Sequence, residues 1–283
     1  MEISAELVKT LRDKTNCGFM DCKKALKETE GDLEKAVTYL RQKGIAVAGK
    51  RAERATSEGV VVANVTPDGL SGVLLEVNCE SDFVAKTEAF QNFAQGLAAQ
   101  IAATTPGEVP ELLGQPWQGQ ANLTVQDYLN EIIGQTGENI RVRRFSRYAG
   151  SGLVTAYIHF GGRIGVLLEL SSSQVTPELT ALAKDLAMQV AATNPLTVSR
   201  SEVDPAVIAQ ETEIYKAQAR ESGKPENIIE RMVTGRVDKF YKEVCLQEQP
   251  FVKNPDITVA QLLKEAGGAE LRVVRFTRYQ LGT

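Results

Sequence analysis

An internal duplication restricts the possible folds of this chain more than any other feature. GVLLEV (72–77) returns as GVLLEL (165–170), 93 residues later, and LAAQIAAT (97–104) returns as LAMQVAAT (186–193), 89 residues later. TVQDYLNEI (124–132) returns as TVAQLLKEA (258–266), and RFSRY (144–148) as RFTRY (275–279), at offsets of 134 and 131. Matching strings in a single order imply two copies of one supersecondary unit. In copy one, VVVANVTPDGLSGVLLEVN (60–78) shows period-2 runs on either side of Pro67-Asp68-Gly69, a hairpin turn signal. Phe90, Phe93, Leu97 and Ile101 then share one helical face, and NIRVRRFSRY (139–148) reads as a later strand. Each copy is therefore expected to be an α+β unit of antiparallel strands and helices.

The change of offset from 89 to 134 places an insertion in copy two. There, 206–221 and 226–246 are helical in period, with Ser222-Gly223-Lys224-Pro225 as stop and restart. A helical hairpin at about 205–247 is predicted. Copy two in turn lacks four residues that copy one carries within CESDFVAK (79–86). Upstream, the first 45 residues read as three short helices, with Gly44 ending the third and an Ala-rich, basic, partly helical linker over 45–57. The expected organisation is a three-helix head with linker (1–57), copy one (58–149), and copy two carrying the hairpin (150–283).

Charge and composition narrow the function. The first 57 residues hold 12 basic against 9 acidic side chains, and the remainder 20 against 27. That balance argues against direct nucleic-acid binding, which needs a basic excess. No apolar run approaches the ~18 residues of a membrane span, and an N-terminus bearing Glu2, Glu6, Lys9, Arg12 and Asp13 does not suit a signal peptide. A cytoplasmic protein without membrane contact is expected. Cys17, Cys22, Cys79 and Cys245 form no CxxC pair and have one histidine, His159, to join them. Neither a metal site nor a disulfide scaffold is predicted.

Four segments could carry chemistry. GIAVAGKR (44–51) imitates a GxxxxGK[ST] phosphate loop, but an amphipathic helix precedes it and Arg51 replaces the magnesium-binding hydroxyl, so it is read as helix-stop residues. Arg141, Arg143, Arg144 and Arg147, echoed by Arg272, Arg275 and Arg278, read as the solvated face of a strand rather than an RNA platform. His159, beside Gly161-Gly162, reads as a surface or capping histidine. CESDFVAK leaves two readings open. Phe83, seven residues before Phe90, is either the first core residue of that helix face, or an aromatic presented beside Asp82 at a protruding tip.

LRDKTNCGFMDCKKAL (11–26) and EVNCESDFVAK (76–86) resemble the two signatures of the elongation factor Ts family, and GENI.VRR (137–144), GRIG (162–165), SGKP (222–225) and QPFV (249–252) match further along. Ser81 stands where most members have Thr, and longer members continue past the final strand into a further helix. The resemblance implies a non-enzymatic guanine-nucleotide exchange factor without cofactor, acting on the GTPase elongation factor Tu. It implies that Ser81, Asp82, Phe83 and Val84 form a wedge beside the partner's magnesium and phosphate site. The head, a ubiquitin-associated-like bundle, would dock through Met20, Asp21 and Lys23, while Thr136, Gly137 and His159 would lie near the core interface. The hairpin would be an extra contact or a homodimerisation arm. Two rivals are a ubiquitin-like-binding adaptor acting through the head, and a small-molecule enzyme using Asp82 and His159.

Overall fold

Three helices open the chain: α1 (Ala5–Thr15), α2 (Phe19–Glu28) and α3 (Leu33–Arg51). They close on a small core of Val8, Leu11, Cys22, Ala25, Leu26, Ala36 and Leu40. Asp32 caps α3 by accepting from the amides of Glu34 and Lys35, the usual solution for unpaired first-turn donors. The computed structural model describes residues 3–283 apart from 16, 119, 151, 173 and 222–224.

Gly44 does not end the third helix. α3 runs on to Arg51, so the expected linker is helical over most of its length, and residues 44–51 form neither a stop nor a loop. A glycine in a helix interior costs about 1 kcal/mol against alanine, and here close backbone packing offsets that cost. A Cβ on Gly44 would lie 3.1 Å from the carbonyl oxygen of Asn130, and one on Gly134 would lie 3.2 Å from the Gly44 Cα. Both contacts are with α7 (Val125–Thr136) of copy one. The same crossing carries an Arg41–Glu131 ion pair at 2.9 Å and a Gln135 Nε2 donation to the Thr15 carbonyl at 2.8 Å. The head is thus seated on the core rather than tethered to it.

Copy one runs β1 (Glu58–Val65), β2 (Ser71–Cys79), α4 (Asp82–Ala85), α5 (Glu88–Thr104), α6 (Val109–Gly114), β3 (Pro116–Trp117), β4 (Gln120–Thr124), α7 and β5 (Ile140–Ala149). Copy two runs β6 (Leu153–His159), β7 (Ile164–Leu170), α8 (Pro177–Thr193), α9 (Pro205–Arg220), α10 (Glu226–Val244), β8 (Pro250–Phe251), β9 (Asn254–Thr258), α11 (Val259–Gly267) and β10 (Val273–Gln280). Two antiparallel sheets, ordered β1-β2-β5 and β6-β7-β10, follow the same topology. α9 and α10 are the predicted inserted hairpin, and residues 222–224 of its turn lie outside the described residues.

The duplication extends to single hydrogen bonds. Gln100, buried on α5, donates to Gln115 and to the Pro116 carbonyl and accepts from the Gln118 amide. Gln189 on α8 donates to Gln249 and to the Pro250 carbonyl and accepts from the Val252 amide. Thr124 and Thr258 each cap their helix in a reciprocal capping box.

β1, β2 and β7 are buried on both faces. Val60, Val62, Val73 and Leu75 face α5, whereas Val61 and Leu74 join Val154, Leu167, Tyr148 and Tyr279 between the two sheets. Layers of helix, sheet, sheet and helix result. Arg144 and Arg275 do not lie on a simply solvated face. Arg144 reaches the fully buried Glu76 at 2.7 Å and covers the Tyr279 ring, while Arg275 reaches Glu169 at 2.7 Å and covers the Tyr148 ring. Tyr148 hydrogen-bonds Thr277 and Tyr279 hydrogen-bonds Ser146. The repeated RF[ST]RY string is therefore the seam of a pseudo-twofold pair, each copy supplying the group the other needs.

Candidate partner-binding surface

The strand-to-helix connection that is four residues longer in copy one carries a helix of its own. β2 ends at Cys79, and α4 makes a single turn over Asp82–Ala85 before α5 restarts behind the cap Thr87. Phe83 is consequently not on the α5 face. Phe90, Phe93, Leu97 and Ile101 fill the core as expected, but Phe83 is 80% exposed. An aromatic ring that exposed gains little from its own fold and is free to be buried by a partner.

One helical turn cannot hold itself in water, so α4 is stable only through its neighbours. Val84 and Ala85 point inward and belong to the copy-one core; of the four proposed wedge residues, Asp82 and Phe83 face outward. Ser81 caps α4, accepting from the Val84 amide at 3.4 Å. Its own amide and hydroxyl donate to the two carboxylate oxygens of Glu138, at 2.9 and 2.6 Å. The buried Cys79 thiol donates to the Ser81 carbonyl at 3.1 Å, and burial, together with the nearby Glu138 charge, pushes that thiol's pKa up to about 12. Asp82 accepts from Lys86 at 2.5 Å, and this ammonium holds the carboxyl below its ordinary range. A fixed negative charge and a bare ring therefore stand side by side.

Thr136 and Gly137 end α7 directly beneath this prong. Gly137 adopts φ +75 as the C-cap, and a Cβ there would meet the Arg51 guanidinium at 3.0 Å. His159 lies at the tip between β6 and β7, half-buried, with Nδ1 2.8 Å from the Tyr157 hydroxyl and its ring packed on Phe160. Gly162 in that tip has no room for a Cβ against Val60 and the Val61 carbonyl, and Arg163 pairs with Glu58 at 3.3 Å. Glu58 is the ladder partner of Cys79. The His159 tip and the Phe83 prong therefore share one end of the molecule.

Met20, Asp21 and Lys23 lie on α2. Met20 is 72% exposed beside the exposed Phe19, Lys23 is exposed, and Asp21 is ion-paired to Lys43. Asp21 also lines a cleft of about 340 Å³ between the head and α7. These residues form a second exposed patch. Asp82 and His159, candidates for acid–base chemistry, are occupied with Lys86 and Tyr157 and share no hydrogen bond with each other. Among the described residues, no cluster of His, Cys, Asp or Glu is arranged to hold a metal, and no helix is long and apolar enough to cross a membrane.

Two contributors were not singled out from the sequence. Glu138 was visible only as part of the GENI string; its role depends on a partner 57 positions away. Phe160 is 73% exposed at φ +48, a backbone region unfavourable for an aromatic residue. The following glycine pair was its one local signal.

Comparison with known proteins agrees with this architecture. A family model described as "Elongation factor TS" matches residues 80–283. Elongation factor Ts of Clostridium novyi (strain NT) is 46% identical over 284 residues, covering 99% of this chain and 93% of that protein. Elongation factor Ts of Clostridium perfringens (strain ATCC 13124) is 48% identical with the same coverage, and that of Clostridium botulinum (strain Eklund 17B) is 48% identical over 285 residues.

Proposed function

This chain belongs to the elongation factor Ts family and is a translation elongation factor; from that premise we propose that it is the guanine-nucleotide exchange factor of the GTPase elongation factor Tu. The observation that carries the proposal is Phe83, 80% exposed beside an ionised Asp82 on a turn braced from within. A GTPase holds its nucleotide through the phosphate-cradling loop and the magnesium ion that neutralises the phosphates. A ring and a carboxylate pushed beside that site displace the groups that hold the ion. GDP then leaves without any covalent step in the factor.

Exchange of this kind is a coupling free energy. The factor must bind the empty GTPase more tightly than the loaded one, and nucleotide weakens the factor reciprocally. A 10⁴-fold preference corresponds to about 5.5 kcal/mol, whereas burying one phenylalanine ring contributes roughly 1.5–3 kcal/mol. Phe83 therefore needs the head patch at Met20, Asp21 and Lys23, the His159 tip and copy two as additional holds. We place the factor in the cytoplasm, where thiols stay reduced, in keeping with its four free cysteines. The ubiquitin-like adaptor reading is not favoured, because similarity extends over 99% of the chain and the head is seated on α7.

Stimulated release of a fluorescent GDP from elongation factor Tu tests the proposal. The wild-type chain is expected to accelerate release, and Phe83→Ala to lower the maximal rate about tenfold to a hundredfold, the equivalent of the ring's burial. An unchanged rate in Phe83→Ala would refute the wedge.

A further inference from the structure

We propose that Glu138 is a positioning residue for exchange, its carboxylate setting the angle at which Asp82 and Phe83 meet the partner. The inference rests on the exchange function proposed above. The far end of α4 is anchored by Val84 and Ala85 in the core and by Thr87 and Gln91, which donate to the Val84 and Ala85 carbonyls at 2.8 and 2.6 Å, while the surface pair Asp82–Lys86 lies on its outer side. The near end begins at Ser81, where one carboxylate takes both the amide and the hydroxyl of the capping residue. Rotating Ser81 rotates the first turn and the ring upon it. Two hydrogen bonds onto a charged acceptor restrict that rotation more strongly than neutral bonds would.

Glu138 is itself held from the head side. The Thr136 hydroxyl accepts from the Glu138 amide at 3.3 Å, and Gly137 passes under the Arg51 guanidinium at the end of α3. The next residue, Asn139, donates its amide to Glu80 at 2.6 Å and its side chain to the Arg54 carbonyl at 2.8 Å. Glu80 in turn meets Arg54 at 3.4 Å. Residues 136–139 thus join the end of the head helix to the base of the prong. Seating the head and aiming the ring become one mechanical event.

The experiment measures GDP release from elongation factor Tu across factor concentrations, reading the maximal rate and the half-saturating concentration separately. Glu138→Ala is expected to lower the maximal rate about tenfold, the loss of a hydrogen-bonded charged anchor, with half-saturation little changed. Glu138→Gln, whose amide can accept from the Ser81 amide and donate to its hydroxyl, is expected to keep most of the rate. In a Phe83→Ala background, Glu138→Ala should cost clearly less than in the wild type, because part of what it aims is the ring. An equal loss in that background, a change confined to half-saturation, or a Gln variant as slow as the Ala variant would each overturn the positioning role. Should Phe83→Ala slow release while Glu138→Ala leaves it untouched, the positioning role falls and the exchange function stands. If Phe83→Ala behaves as wild type, the wedge and its positioning residue fall together while exchange stands; if the wild-type chain does not accelerate release, the exchange function itself falls.

Discussion

Two glycines on one helix offer a matched test of how the head is seated. Gly44 and Gly49 both lie inside α3, so replacing either with alanine removes the same helix penalty, a gain of about 0.8–1 kcal/mol. Their surroundings differ. Nothing lies within 4 Å of a Cβ at Gly49, whereas at Gly44 it would sit 3.1 Å from the Asn130 carbonyl oxygen and 3.7 Å from its carbon. Those are backbone atoms of α7 and cannot swing aside, so the two helices must separate by a few tenths of an ångström. Overpacking of this kind costs about 1–3 kcal/mol. Gly49→Ala is therefore expected to stabilise the protein by about 1 kcal/mol, and Gly44→Ala to be neutral or to destabilise by up to about 2 kcal/mol. Urea unfolding followed by circular dichroism, with midpoints and slopes compared among the three proteins, measures both. If Gly44→Ala were as stabilising as Gly49→Ala, the close crossing of α3 and α7 would be wrong. If Gly49→Ala were not stabilising, α3 would not continue past Gly44.

Phe83→Ala should leave the urea midpoint within about 0.5 kcal/mol of wild type, as an exposed side chain does, while Phe90→Ala, fully buried seven positions on, should cost about 3–5 kcal/mol; a large loss from Phe83→Ala would mean the ring is core. Glu76→Ala and Glu169→Ala should each destabilise by about 2–3 kcal/mol, since the half-exposed arginines left behind can regain water. Glu76→Ala should be the worse of the two, because it also removes one of the two acceptors of the Asn78 amide, leaving the Glu58 carbonyl at 3.3 Å, and equal denaturation curves for wild type and variants would remove the seam's energetic role. At pH 8 the Cys79 thiol should resist Ellman's reagent in the native protein and react in urea. Its folded pKa lies above the ordinary thiol value of about 8.5, so its contribution to stability is complete below that value and is lost as pH rises toward about 12. Burial raises Tyr148 and Tyr279 as well, with the same sign. Cys79→Ala should therefore make the alkaline loss of stability shallower, and an unaltered pH profile would contradict the buried neutral thiol.

Much of the scaffold was legible because it was written twice. Period-2 runs around Pro67-Asp68-Gly69 specify the first hairpin, and the helical spacing of Phe90, Phe93, Leu97 and Ile101 identifies the buried face of α5. The matching offsets delivered copy two, and their jump delivered α9 and α10. Gly44 misled for a physical reason: local propensity counts the entropy a glycine loses in a helix but not the contact that the missing side chain allows. The arginines of RF[ST]RY misled similarly, since alternation along a strand shows which residues leave one sheet without showing that a second sheet waits there.

The candidate site divides along the same line. Its residue types and their placement in a four-residue excess of copy one were set by sequence alone, because a local insertion after a strand must loop outward and a capping Ser81 must start a helix. Whether Phe83 turned inward or outward depended on a break at Lys86–Thr87 and on whether Val84 and Ala85 could fill the space beneath. Glu138 became its brace only through the pairing of β2 with β5, which brings residues 57 positions apart within hydrogen-bond distance. Periodicity and turn chemistry are local and can be read along the chain; the aim of a side chain is a balance of distant contacts, and the folded protein alone supplies it.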